Sequence, residues 1–166
     1  MDADSFLLTT AQAGIALAGF SALISAFRRS DIQLTPIEMY GRGMILEMGL
    51  TAALFALIPF PTEQLLFLFG FSAGVWRISS AMLLLFFIGW GVLNFTRYQK
   101  LISAYPGGAL PPQIGFNMLL GLVVALLVLN VFFFGSASFY MIGLIWMLVL
   151  SGMQFLAFVY PAVRRE

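Results

Sequence analysis

Residues 114 to 160 form one long apolar run, IGFNMLLGLVVALLVLNVFFFGSASFYMIGLIWMLVLSGMQFLAFVY. As one α-helix, this nearly unbroken apolar run would measure about 70 Å, whereas the hydrocarbon layer of a bilayer is roughly 30 Å thick. The run must therefore turn. Its only cluster of small, turn-favouring residues near the middle is Gly135-Ser136-Ala137-Ser138, which favours a tight hairpin between two helices.

The composition extends this interpretation to the whole chain. Of the 166 residues, 61% are hydrophobic and 9% are charged, whereas a soluble domain is about a quarter charged. Five apolar stretches are long enough to cross a bilayer, about 6–27, 43–60, 78–96, 114–134 and 138–160. The predicted helices run over about 6–27, 36–60, 74–97, 114–134 and 138–160. The sequence therefore predicts an all-α integral membrane bundle of five transmembrane helices, forming a single transmembrane domain over residues 1–166.

The distribution of basic residues predicts the orientation. With five crossings, seven of the eight Lys and Arg residues share one side and only Arg77 lies opposite. A four-helix alternative moves Arg164 and Arg165 across and weakens the bias to five against three. The positive-inside rule then places the N-terminus outside and the C-terminus in the cytoplasm, as expected for a multi-pass protein of the cell inner membrane. The seven residues are Arg28, Arg29, Arg42, Arg97, Lys100, Arg164 and Arg165.

The first apolar stretch could instead be a cleaved signal peptide. Its leading residues, Met1-Asp2-Ala3-Asp4, lack the basic region of a signal peptide, and the apolar stretch continues past signal length to Arg28. A retained first helix is therefore expected. The segments Ala13–Arg29 (AGIALAGFSALISAFRR) and Val75–Ser80 (VWRISS) resemble small uncharacterised multi-pass inner-membrane proteins of bacteria, a resemblance that implies no particular functional residues.

Residues between the helices predict two further features. Thr35-Pro36-Ile37-Glu38 is a capping box with proline at the first helical position, so the second helix should begin there. The residues from Thr62 to Phe71 are expected to form a short interfacial segment. Because the longest loops, about 61–77 and 97–113, are too short for a catalytic or sensory domain, any function should reside in the helices.

The first helix differs from the others by a face of small residues at three- and four-residue spacing. Another helix can approach such a face closely, which favours association in lipid. An intramolecular contact within the bundle is one interpretation, and a subunit interface or a pore lining is the other. The predicted helix-packing face comprises Gly14, Ala18, Ala22 and Ala26.

Polar residues inside the hydrocarbon predict a candidate site, since each is costly there unless it has a partner. Glu47 lies about 7 Å inward of Arg42 along the second helix, and the two side chains point about 140° apart, whereas Glu38 and Arg42 share a face. Glu47 should therefore find partners on other helices. The predicted polar cluster comprises Glu47, Arg42, Glu38, Ser21, Ser25, Asn94, Asn117 and Gln154.

A second polar layer, which includes Gln12, Arg77 and Asn130, falls in the outer part of the predicted bundle. The layer between the two sets is apolar. In a pore, this profile would give two wet vestibules and a hydrophobic constriction. The alternative is that polar residues lie near the interfaces of any membrane protein and hydrogen-bond between helices.

Catalysis is disfavoured by the residue types that are missing. The sequence contains no His and no Cys, which excludes the common zinc and haem sites and the serine–histidine pair. The Glu38-x-x-x-Arg42 spacing faintly matches intramembrane CAAX-type proteases, but their second glutamate and histidines are missing. No enzyme activity, cofactor or metal is therefore expected, and the net charge of +1 gives no indication of a nucleic-acid partner.

Two functions remain as hypotheses. The first is a protein that associates with itself through its first helix and forms a channel for an ion or small solute, with Glu47 setting cation preference or gating. The second is an accessory or scaffold subunit of a larger membrane complex. In both cases the expected partners are the lipid bilayer and membrane-embedded chains, either further copies or other subunits.

Overall fold

The computed structural model describes residues 2–27, 36–70, 74–104 and 113–163. The predicted all-α class is confirmed, since the described residues form helices and no strands. The helices are α1 (Ala3–Phe27), α2 (Pro36–Leu57), α3 (Pro59–Leu68), α4 (Val75–Ala104), α5 (Gln113–Leu129) and α6 (Ala137–Val163), with a five-residue π turn, Asn130–Phe134, after α5. The predicted capping residue Thr35 lies outside the described residues.

Within the part of the chain that the structure describes, four helical stretches are long and apolar enough to cross a membrane, namely Ala3–Leu23, Met39–Leu68, Val75–Lys100 and Ala137–Leu156. A fifth apolar stretch, Met118–Phe134, is shorter. This pattern is that of a membrane protein.

Surface and interior also differ from those of a soluble domain. Large apolar side chains are exposed on most helices; Leu85 is 70% exposed and Phe67 is 84% exposed. Most buried side chains are apolar, such as Ile45, but serine and asparagine side chains are buried among them, including Ser151 and Asn130, each 0% exposed. Lipid favours an apolar surface, because apolar side chains gain no hydrophobic free energy by moving from hydrocarbon into the protein interior. Contacts between helices then depend on close packing of small residues and on hydrogen bonds between polar ones.

The second predicted stretch, 36–60, is divided at Ile58. Pro59 has no backbone N–H and so cannot continue the hydrogen-bond ladder of α2. Ile58 itself keeps helical angles, and its carbonyl oxygen accepts hydrogen bonds from the backbone N–H of Thr62 at 3.2 Å and from the Thr62 hydroxyl at 2.8 Å. The residues after Ile58 therefore form the separate helix α3, where the sequence predicted a short interfacial segment from Thr62.

The N-terminus of α1 is capped by Asp2. One of its carboxylate oxygens accepts a hydrogen bond from the backbone N–H of Ser5 at 3.1 Å, and the Asp2 carbonyl accepts the first helical bond from Phe6. Side-chain and backbone hydrogen bonds from Ser5 lower the pKa of Asp2 from its ordinary value of 3.8, because they favour the charged carboxylate.

The chain forms two compact units. The terminal unit contains Met1–Leu57 and Leu144–Glu166, which include α1, α2 and most of α6. The central unit contains Ile58–Gly143, which include α3, α4, α5, the π turn and the start of α6. The single transmembrane domain expected from the sequence stays a prediction.

Candidate functional site

In the terminal unit, α1 and α2 approach until their backbones touch. A methyl group added at Gly14 would clash with the carbonyl oxygen of Gly49 and would lie 3.1 Å from the backbone nitrogen of Ala53. A methyl group added at Gly49 would lie 2.8 Å from the carbonyl oxygen of Gly14. Only glycine fits at both positions, so the two residues form a direct contact between the helix backbones.

This contact divides the small-residue face that the sequence predicted on α1. Gly14 and Ala18 are buried, whereas Ala22 and Ala26 are exposed. The reason is geometric, since each four-residue step rotates about 40° beyond a full turn, so that three steps carry Ala26 about 120° away from Gly14. For Gly14 and Ala18 the structure shows the intramolecular contact, which was one of the two interpretations.

Helix α6 contacts α2 through polar side chains. The Ser151 hydroxyl donates a hydrogen bond to the carbonyl oxygen of Ile45 at 3.0 Å, and its oxygen would lie 3.4 Å from a methyl group added at Gly49. The Gln154 side-chain oxygen would lie 3.6 Å from a methyl group added at Gly41. Gly49 therefore lies where α1 and α6 both meet α2.

The residues of the predicted polar cluster around Glu47 fall in both compact units. The terminal unit contains Ser21, which is fully buried, together with Arg42, Glu47 and Gln154, which are partly exposed. The central unit contains Asn94, which is 9% exposed. Convergence on Glu47 stays a prediction. Three more members have side chains outside the described set: Ser25, Glu38 and Asn117.

In the central unit, Asn130 joins three segments of the chain. Its side-chain nitrogen donates to the Ser80 hydroxyl oxygen at 2.7 Å and to the Ser136 carbonyl oxygen at 2.9 Å, while its side-chain oxygen accepts the Ser136 backbone N–H at 2.7 Å. Asn130 is fully buried. One side chain therefore fixes the turn between α5 and α6 and attaches α4 to that turn.

The same turn contains the break that the sequence predicted at Gly135. The Gly135 N–H donates to the Asn130 carbonyl oxygen at 2.8 Å, and Gly135 has φ +62°, a left-handed conformation that glycine adopts readily. Leu127 lies eight residues before Gly135, and Gly143 lies eight residues after it. A methyl group added at Gly143 would lie 3.5 Å from the Leu127 side chain. The two helices therefore run antiparallel, as a hairpin requires.

Of the three residues predicted in the outer polar layer, two lie at this hairpin. Asn130 forms it, and the Arg77 side chain passes over it, with its Nε atom 3.0 Å from a methyl group added at Gly135. Gln12 lies on α1 in the terminal unit and is exposed. Among the residues that the structure describes, the buried Ser79 hydroxyl has no hydrogen-bond partner.

Sequence reasoning missed Ser151 and the glycine pair of α1 and α2. Ser151 is one of several small residues in an apolar run, and no local pattern distinguishes it from the adjacent Gly152. The pairing of Gly14 with Gly49 depends on which helices are neighbours, which composition alone does not specify. The four-residue spacing of small residues on α1 was the one available signal, and it identified Gly14 on α1 but not its partner Gly49 on α2.

Within the described ranges, no group of three or more Asp, Glu, His or Cys side chains could hold a metal ion. The features described in the terminal unit are the glycine contact and the Ser151 bond to backbone, and the feature described in the central unit is the hairpin fixed by Asn130. Each of them joins helices of its own unit. Comparison of the chain with protein-family models, with curated proteins and with solved structures finds no match.

Proposed function

We propose that this chain is a multi-pass protein of the bacterial inner membrane that crosses the bilayer five times, with its N-terminus outside and its C-terminus in the cytoplasm. The hairpin at Gly135 supports the fifth crossing. Because α5 runs antiparallel to the start of α6 and contacts it through Leu127 and Gly143, a membrane-spanning α6 brings α5 back through the same layer. Five crossings also give the strongest bias of basic residues toward one side.

We further propose that its role is association with other membrane-embedded chains, as a self-associating subunit, and that it is not an enzyme. The observation that carries the associating role is the face of α1 opposite Gly14, on which Gln12, Ala16 and Gly19 are exposed and a helix of another chain can pack.

The buried polar side chains described above join helices within the chain. Ser151 bonds to the backbone of a neighbouring helix, and Asn130 bonds to Ser80 on α4 and to the following turn. Such bonds join helices in lipid, where hydrophobic attraction between helices is lacking.

Mass measurement of the particle in native lipid discs tests the proposed role. Assembly predicts a particle that contains more than one chain, made of copies of this chain with or without other subunits. A particle that contains a single copy at every protein-to-lipid ratio would overturn the proposal.

A channel is the second candidate, and Glu47 favours it. This acid lies in the candidate membrane-spanning stretch Met39–Leu68 and is partly exposed. A carboxylate that borders a water-filled path between subunits would attract cations. Reconstitution of the protein in planar bilayers should then give a conductance whose cation preference falls in Glu47→Gln. A conductance unchanged by this substitution would contradict the role of Glu47, and a lack of conductance would contradict the channel.

A further inference from the structure

The face of α1 that points away from α2 has an unusual composition for a surface in contact with lipid. Gln12 and Gly19 are exposed and seven residues apart, and Ala16 is exposed between them. By 100° per residue, all three point about 140–200° from Gly14, the residue that contacts α2. This exposed face, Gln12-Ala16-Gly19, is distinct from the small-residue face predicted from the sequence.

Gln12 is the polar centre of this face. It lies nine residues, or about 13 Å, into the candidate membrane-spanning stretch Ala3–Leu23, so its amide is far from either end. Its side chain has no hydrogen bond to any residue that the structure describes, whereas the nearby Thr9 hydroxyl donates to the Ser5 carbonyl oxygen at 2.7 Å. An amide left without a partner in hydrocarbon is costly, and a polar group there favours a neighbouring helix.

The next two turns of α1 leave room for such a neighbour. Nothing lies within 4 Å of a methyl group added at Gly19, and Ala16 extends only one methyl group from the backbone. A helix seated against these residues could approach closely enough for its own polar side chain to reach the Gln12 amide. Close approach and an amide at mid-span are independent features of the same face.

We propose that the occupant of this face is α1 of a second copy of the chain, related by a two-fold axis along the membrane normal. This proposal rests on the membrane-spanning and self-associating role proposed above. An amide carries both donors and an acceptor, so two Gln12 side chains satisfy each other. A two-fold axis along the membrane normal places the two Gln12 side chains at the same depth, because the same surface of each copy forms an isologous interface. A different chain would need its own polar group at that depth.

Disulfide crosslinking tests the proposal directly, because the chain has no cysteine. A disulfide needs Cα atoms closer than about 7 Å. Ala16→Cys and Gly19→Cys in native membranes should each give a covalent dimer on oxidation. Leu85→Cys is the control, since Leu85 is 70% exposed on another helix. Equal crosslinking at Leu85→Cys and at the α1 positions would overturn the proposal.

The amide contact has its own test. Gln12→Leu should raise the dissociation constant of the dimer in lipid about tenfold, the order expected for interhelical hydrogen bonds in membranes, and Gln12→Asn should give a smaller increase. Because Gln12 is exposed, neither substitution should change the unfolding of the monomer. An unchanged dissociation constant for Gln12→Leu would overturn the proposal.

The outcomes separate this inference from the proposed function. A multi-chain particle without crosslinks at residues 16 and 19, or with crosslinks from α1 to a different protein, overturns the second-copy interface and leaves the associating role standing. A particle that contains one chain overturns both.

Discussion

Replacing Gly14 by alanine tests the contact between α1 and α2 that organises the terminal unit. The added methyl group would clash with the Gly49 carbonyl oxygen and lie 3.1 Å from the Ala53 nitrogen. Both are backbone atoms within helices, so they cannot rotate away, and the helices must separate. Overpacking of this kind costs about 1–3 kcal/mol. Alanine recovers up to about 1 kcal/mol because it favours helix over glycine.

Gly14→Ala should therefore lower the free energy of unfolding by about 1–2 kcal/mol. Gly43→Ala is the matched control, since nothing lies within 4 Å of a methyl group there, and it should leave stability unchanged or raise it slightly. The assay is reversible unfolding in mixed micelles by denaturing detergent, followed by circular dichroism. Equal stability of Gly14→Ala and Gly43→Ala would refute the direct backbone contact.

Two further predictions concern hydrogen bonds. Asn130→Leu removes all three side-chain bonds at the hairpin and leaves buried partners unsatisfied, so it should lower the free energy of unfolding by about 2–4 kcal/mol in the same assay. Ser136→Ala should lower it little, because the bonds from Asn130 to Ser136 use backbone atoms of Ser136. Similar losses for both variants would contradict the role of Asn130. The Asp2 cap makes the stability of the N-terminal end of α1 depend on pH. Because the pKa of Asp2 is lowered below 3.8, the stabilisation by its carboxylate is complete above pH 3.8 and disappears as pH falls through the folded-state pKa. Amide hydrogen exchange at residues 5 and 6 should detect this loss in the native chain and not in Asp2→Asn.

The sequence was sufficient for features that a local pattern determines. A glycine and small residues in the middle of a long apolar run were enough to predict the hairpin at Gly135. The break at Ile58 follows from Pro59, yet the apolar pattern continues across it, and so the predicted second helix extended to residue 60. In both places the physical signal is a residue with unusual backbone chemistry: glycine accepts a positive φ, and proline lacks the N–H that a helix needs.

Contacts between helices were harder to predict, for a physical reason. In lipid, apolar side chains face outward as readily as inward, so hydrophobic periodicity does not reveal the buried face. Small residues become the only signal, and α1 has them on two faces. Gly14 and Ala18 contact α2, whereas Ala16 and Gly19 are exposed. Only the structure separates the two sets.

The number and direction of the membrane crossings are the central proposal for this chain, and thiol labelling tests both at once. One variant, Ser138→Cys, places the only thiol at the hairpin, where Ser138 is exposed; a second carries a cysteine added after Glu166. Five crossings with a cytoplasmic C-terminus predict that an impermeant maleimide labels Ser138→Cys in intact cells and labels the C-terminal cysteine only after the inner membrane is opened. Labelling of the C-terminal cysteine in cells with an intact inner membrane, or protection of Ser138→Cys, would contradict five crossings with a cytoplasmic C-terminus.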